Sequence, residues 1–257
     1  MRVLVLNTSP KRKGGASRFF SRALSWMLIG NQITTASICN QADYANALSL
    51  LADADAVVIS TPLYVDAIPA HMVEFLGMAE TVCRERGYQF KVYVLSNSGF
   101  IEGCQNKIHM KMYEAWCRRA GVEFGGGVGI GGGVMLYAMF FLLPLSILLH
   151  GIEIMGTILT KGLITGGDIW EHSINLLVTL IIFLPMLVCL ALLAAAVRKG
   201  RARRTLYTRA MVPSFVFLPF ADLFMLISAV LKGTLPHKLF HRIAEEEKSA
   251  DTGNDLQ

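Results

Sequence analysis

The sequence predicts a doubly wound α/β domain with a parallel five-stranded sheet over residues 1–133, followed by hydrophobic transmembrane helices and a polar tail. Three observations carry that prediction. Short continuous apolar runs alternate with longer stretches of helical period, the pattern of a parallel sheet covered on both faces. The first run ends in a basic, glycine-containing loop that leads into a helix. From Gly125 onward, long segments carry almost no charge, which marks the main boundary in the chain.

Arg2–Asn7 reads as the first strand and Ala16–Ile29 as the first helix. Ile33–Cys39 is a second strand and Tyr44–Ala52 a short helix. Ala56–Ser60, rich in β-branched residues, reads as a fully buried strand. Ala70–Arg84 has helical periodicity, with Met72, Phe75, Leu76 and Ala79 on one face. Lys91–Ser96 is the fourth strand and Cys104–Ala120 the fourth helix. Val122–Ile130 reads as a fifth strand ending in glycines. Ligands of such sheets bind beyond the carboxyl ends of the strands, so the loops after strands one, three and four are the candidate site.

The first loop is Thr8-Ser9-Pro10-Lys11-Arg12-Lys13-Gly14-Gly15-Ala16-Ser17. Exposed amides at a helix N-terminus favour an anion. Gly14 and Gly15 permit close backbone approach, and Ser9 and Ser17 supply hydroxyls. It is neither a Walker loop nor G-x-G-x-x-G; the alternative is a basic turn capped by Ser17. The second loop, Thr61-Pro62-Leu63-Tyr64-Val65-Asp66-Ala67-Ile68-Pro69-Ala70, offers a rigid apolar wall suited to a flat ring, or else an ordinary strand–helix connection with Pro69 near the helix start. In the third, Ser96-Asn97-Ser98-Gly99-Phe100-Ile101-Glu102-Gly103, small polar residues can hydrogen-bond the edge of a heterocycle.

Together these loops resemble the NADPH-dependent FMN reductase branch of the flavodoxin-like superfamily. Its first loop reads G-S-P-R-K-x-G-N-T, against Thr8-Ser9-Pro10-Lys11-Arg12-Lys13-Gly14-Gly15-Ala16 here. Its second reads S-P-x-Y-x-x-x-x-P-A-x-x-K-x-F-L-D-R, matched by Thr61-Pro62-Leu63-Tyr64, Pro69-Ala70 and Phe75-Leu76. Asn97-Ser98-Gly99-Phe100 and the run Gly125 to Gly133 are similar too, so the resemblance covers residues 1–133. It implies FMN as prosthetic group and NAD(P)H as electron donor. Ser9, Lys11, Gly14 and Ser17 would meet the phosphate, and Pro62, Leu63, Tyr64, Ser98 and Gly99 the ring. Homodimers are implied as well. Thr8, Gly15 and Ala16 depart from the loop pattern, and Gly77-Met78 replaces Asp-Arg.

Composition narrows the rest. Hydrophobic residues make up 53% and charged ones 17%, apolar-rich for a soluble domain. The five cysteines form no C-x-x-C pair, which excludes zinc and iron–sulfur spacing. Met1-Arg2 leads straight into an apolar run too short for a secretory leader. Ile174–Val197 is 24 residues without a charge, long enough to cross a bilayer. Arg198, Lys199, Arg201, Arg203, Arg204 and Arg209 follow it. They read as membrane-flanking cations on the cytoplasmic side rather than a nucleic-acid patch.

Within the membrane region, residues 134–232, Val134–Ile158 and Met211–Leu231 are further candidate helices. The third crosses again or lies in the interface; Lys232, Lys238 and Arg242 in and around the tail, 233–257, favour the latter. Glu153 and Asp222 are intramembrane candidates for function, whereas His150 reads as interfacial. One conflict stands: the sheet needs a fifth covering helix, and Gly151–Leu163 is the segment available for it. The expectation is a multi-pass protein of the cell membrane, its flavin domain facing the cytoplasm. Electrons would pass from NAD(P)H through FMN to a quinone or other small acceptor. The alternative is a degenerate binding or sensory module, or an electron carrier, on a membrane anchor.

Overall fold

A computed structural model describes residues 1–64, 67–161, 166–231 and 233. The elements run β1 (Arg2–Asn7), α1 (Ala16–Met27), β2 (Gln32–Ser37), α2 (Tyr44–Leu51), β3 (Ala56–Pro62), α3 (Ala70–Arg86) and β4 (Lys91–Asn97). They continue α4 (Lys107–Ala120), β5 (Glu123–Ile130), α5 (Gly133–Lys161), α6 (Gly166–Arg198), β6 (Leu206–Tyr207) and α7 (Ser214–Leu231). The chain divides into two compact units, Met1–Met211 and Val212–Gln257. In the second, α7 is apolar, with Pro219 inside it and Asp222 exposed. The tail expected at 233–257, apart from Gly233, lies outside the described residues, as do Lys232 and the side chain of His150.

The strands lie in the order β2-β1-β3-β4-β5-β6, every neighbour parallel. The first five follow the flavodoxin-like order 2-1-3-4-5. Alternation along the strands divides their side chains between two faces. Leu4, Leu6, Val57, Ile59, Val92 and Val94 pack under α2, α3 and α4. Val3, Val5, Ala56, Val58, Tyr93 and Leu95 pack on the other face with α1 residues Phe20 and Leu24. Each large apolar side chain so buried contributes roughly 1.5–3 kcal/mol.

The sheet has six strands, not the five expected. β6 pairs through only two positions, Val128 with Leu206 and Gly129 with Tyr207. It lies inside the basic cluster, where two apolar residues give no period to read. Glycines on β5 admit the returning chain: Gly126 has φ +102° and a Cβ there would run into the Arg203 carbonyl. Arg203 N–H in turn donates to Gly125 O at 2.9 Å.

The fifth covering helix is also not where the sequence placed it. Gly151–Leu163, as far as it is described, continues the exposed helix α5. The cover comes from the second half of α6: Phe183, Met186, Leu190, Leu193, Ala194, Ala196 and Val197 are buried with Phe20, Leu24 and the strand residues of that face. The Tyr93 hydroxyl donates to Ala196 O at 3.3 Å and to Arg201 O at 3.1 Å, fixing the end of α6 at the amino edge of the sheet. Arg198, Lys199, Arg201 and Arg203 therefore sit near that edge, after a buried stretch of α6, whereas Arg209, beyond β6, pairs with Glu102 at 3.8 Å. By length and composition alone, Gly133–Thr160 and Leu177–Arg198 are able to cross a membrane. They differ in context, since 6% of the first is buried inside the protein against 39% of the second.

Candidate functional site

The carboxyl edge of the sheet gathers the three loops. After β1, Thr8 N–H donates to Ser60 O at 2.8 Å, which turns the chain over the neighbouring strand. Ser9 and Ser17 are buried, while Lys11, Arg12, Lys13 and Gly14 are exposed. Gly14 and Gly15 take φ of +70° and +94°, a left-handed region closed to most side chains. Gly15 is the N-cap of α1, with no side-chain cap and no acidic residue in the first turn. The expectation of a turn capped by Ser17 is thus not what forms. Instead the Ser17 hydroxyl accepts from Asn97 Nδ2 at 2.8 Å, and Ser17 O accepts from Ser60 Oγ at 2.8 Å.

An uncapped helix start leaves several amides without intrahelical partners, at the positive end of the helix dipole. Arg12 pairs with Asp43 at 3.8 Å, leaving Lys11 and Lys13 as the exposed cations of the loop that have no carboxylate partner among the described residues. At the end of β1, both polar side-chain atoms of Asn7 are buried without a partner. Free amides, two glycines, two cations and an orphaned amide side chain suit a phosphate group. One amide is already engaged: Gly15 N–H donates to the hydroxyl of Tyr137, on the first turns of α5, at 3.2 Å.

The second loop is built differently from its expected role. Pro62 is the last residue of β3, buried and in register with Asn97. Leu63 N–H donates to Asn97 O at 2.8 Å, and Tyr64 and Ala67 exchange backbone bonds of 3.3 and 3.0 Å across a tight turn. Tyr64 is exposed at its tip; Val65 and Asp66 lie outside the described residues. In the third loop Ser98 is committed to the scaffold. Its N–H donates to Ile130 O at 3.0 Å and its carbonyl accepts from Gly133 N–H at 2.8 Å. Gly99 faces open space, and Phe100 beside it is exposed. Leu63, Tyr64, Gly99 and Phe100 are thus the accessible residues of these two loops, whereas Pro62 and Ser98 are buried.

Three groups take hydrogen-bonding roles that the sequence did not signal. Asn97 Nδ2 donates to both Ser17 Oγ and Thr61 O, the latter at 3.2 Å, and so ties the three loops together. Ser96 Oγ donates to Asn106 Oδ1 at 2.6 Å and contacts His109 Nδ1 at 2.8 Å. Because Ser96 has one proton, Nδ1 must be the donor to it. His109 Nε2 is then a buried lone pair without a partner. Burial lowers His109 to about 4, so it is neutral near pH 7. Tyr113, whose hydroxyl donates to Thr61 Oγ1 at 3.2 Å, is raised by burial. Among the described residues no His, Cys, Asp and Glu cluster fits a metal ion.

No family model matches the chain, and no curated protein matches it by sequence. Solved structures with a similar fold include a Trp repressor binding protein from Bacillus subtilis, 15% identical, covering 51% of this chain and 84% of its own, with a TM-score of 0.42. An NAD(P)H:quinone oxidoreductase from Methanothermobacter marburgensis is 19% identical, with coverage of 51% and 85% and a TM-score of 0.41. An azoreductase from Bacillus anthracis is 15% identical, with coverage of 51% and 86% and a TM-score of 0.41. At these scores the fold rests on its own strand order, and activity has to be argued from the site.

Proposed function

We propose that this chain is a membrane-associated flavoprotein that passes electrons from NAD(P)H through FMN to a small acceptor such as a quinone. The observation that carries the reading is the uncapped, glycine-bent, cation-flanked start of α1, placed at the carboxyl edge of a 2-1-3-4-5 sheet. Ser9, Lys11, Gly14 and Ser17 would hold the phosphate. Leu63, Tyr64 and Gly99, joined by Phe100, would face the ring, while Pro62 and Ser98 set the loops that carry them. When bound, FMN supplies the redox chemistry, and the protein supplies orientation and electrostatics. Backbone amides and lysines neutralise the phosphate; the exposed aromatics keep water from the ring.

Membrane association rests on α5 and the first half of α6, an arm that leaves the sheet at its ligand edge. Apolar side chains from Phe140 to Leu159 are exposed over most of α5, more than a soluble surface tolerates. Both feet of the arm belong to the α/β domain, so both ends lie on one side of the membrane. NAD(P)H as donor argues for the cytoplasmic side. From Phe183 to Val197 one face of α6 is in the core, so only Ile174–Ile182 remains of its charge-free stretch without a buried face. Nine residues reach about 14 Å, roughly one leaflet of a hydrocarbon core about 30 Å thick. We therefore favour entry into one leaflet over a pair of full crossings. An acceptor dissolved in the bilayer would meet the flavin edge directly.

The test uses the full chain purified in mild detergent. Near-stoichiometric flavin absorbance, bleached by NAD(P)H, is the expected result. Colourless protein that refuses added FMN overturns the reading. It would favour a degenerate binding module, which the committed hydrogen bonds of Ser98 and Ser17 also suit. Flavin that NAD(P)H leaves oxidised identifies an electron carrier. Concentration-dependent mass measured in the same detergent tests the homodimer.

A further inference from the structure

The phosphate loop is not made by the α/β domain alone. Tyr137 lies 122 positions beyond Gly15, on the first turns of α5, yet its hydroxyl oxygen takes the Gly15 amide at 3.2 Å. A Cβ at Gly14 would stand 3.3 Å from the same oxygen. The hydroxyl therefore rests against both left-handed glycines. Its ring is held there by Phe19 of α1, with centroids 6.0 Å apart, and by Phe141 at 4.8 Å. The side chain is fixed from both sides and is not a loose surface group.

A phenol oxygen that accepts one hydrogen bond still has a proton to donate. Among the described residues that proton has no acceptor. The Ser9 hydroxyl, 3.7 Å from a Cβ at Gly15, accepts from Lys11 N–H at 3.4 Å and likewise keeps its proton. Two hydroxyls with a proton to donate thus lie beside one short stretch of backbone. A side chain that merely plugged the loop would have to satisfy several amides at once, and one oxygen takes only one. What the pair lacks is an acceptor with several oxygens, the chemistry of a phosphate monoester.

We propose that Tyr137 is a phosphate ligand, its hydroxyl donating to the FMN phosphate held at Gly14–Gly15. The proposal rests on the flavin reading above. It supplies from α5 the hydroxyl that the loop lacks at Ala16, and it ties cofactor retention to the first turns of the membrane arm.

Tyr137→Phe removes only the hydroxyl and keeps the aromatic contacts. FMN and riboflavin, which lacks the phosphate, are each titrated by flavin fluorescence into detergent-purified full chain. The expected result is FMN binding weakened about tenfold, the usual size for one hydrogen bond to a charged group, with riboflavin unchanged. Inorganic phosphate is titrated in parallel, read by its thermal protection of wild type and variant. Unchanged or tighter FMN binding in the variant overturns the assignment and leaves the flavin reading standing. Should wild type ignore FMN but bind phosphate through Tyr137, the flavin reading falls and the ligand assignment survives. Binding of neither by wild type overturns both.

Discussion

Ile174–Ile182 and Phe183–Val197 form one unbroken apolar helix, yet the two halves of α6 meet opposite surroundings. In the first, Ile174, Leu177, Val178, Leu180 and Ile181 are exposed; in the second, Leu190, Ala194 and Val197 are fully buried. The second half lies against Phe20, Leu24 and the strand side chains that nothing else covers after β5. The first half has no such buried partners, and α5, which also meets α6, is itself exposed. Apolar content states what water costs a helix; it does not say whether protein or lipid relieves that cost. A stretch apolar and long enough for a membrane helix can be shared between a sheet and a bilayer.

The largest expected effect separates the halves directly. Leu190→Ala should lower unfolding stability by about 2–5 kcal/mol, the range for a buried Leu truncated in a packed core. Leu180→Ala, at an exposed position, should change it by less than about 0.5 kcal/mol. Denaturant melts of both variants in one detergent decide the matter. Equal losses would mean that α6 is buried throughout, and the comparison would break.

A second substitution asks the opposite question of the arm. Leu145 is exposed on α5. A lysine there should weaken partition into lipid by about 2.5–3.5 kcal/mol, roughly a hundredfold or more, while leaving the melting of the domain unchanged. Flotation with neutral phosphatidylcholine vesicles reads the partition. Undiminished flotation would show that the exposed helix contacts something other than hydrocarbon.

These contrasts also show what the sequence could carry. Residues 1–130 were legible element by element because each strand and helix declares its own period, and Pro69 marks a helix start. The candidate site could be drawn as three loops, since Gly14-Gly15 and Pro62 announce unusual backbone locally. What failed was non-local. The two residues of β6 have meaning only beside Val128 and Gly129. Nothing around Tyr137 points to Gly15, and nothing around Ser98 shows that Ile130 and Gly133 will claim its backbone. The division of α6 is invisible for the same reason, because the partner of each half lies far away in the chain.

The two faces of the sheet should also differ in acid. The α6 face buries apolar groups, whereas the α4 side holds the neutral His109. Its folded-state value of about 4 lies below the ordinary 6.5, so the unfolded chain takes up the proton first as pH falls. Stability from this group is complete above about pH 6.5 and is lost progressively toward pH 4, by up to about 3 kcal/mol. Replacing His109 with Gln should flatten that decline. The loss in Leu190→Ala should stay constant over the same window. A decline that persists in the Gln variant would assign the acid sensitivity elsewhere.

The smallest effect concerns where the arm meets the lipid. Tyr137 joins α5 to the loop that carries Lys11 and Lys13, so those exposed cations lie at the base of the arm, on the side from which it departs. If the arm enters a leaflet, they face headgroups. Each should then add about 1 kcal/mol of attraction to an anionic surface, about fivefold in binding. Salt should erase that contribution, because the Debye length shrinks to a few ångströms at molar ionic strength. Lys11→Ala and Lys13→Ala together should therefore lower flotation with phosphatidylserine vesicles at low salt and leave phosphatidylcholine flotation as it was. The arm's own share, arising from apolar area, should survive high salt. Loss of binding to both vesicle types in the lysine variant would mean that the loop holds the arm in place, and charge would no longer separate the two contributions.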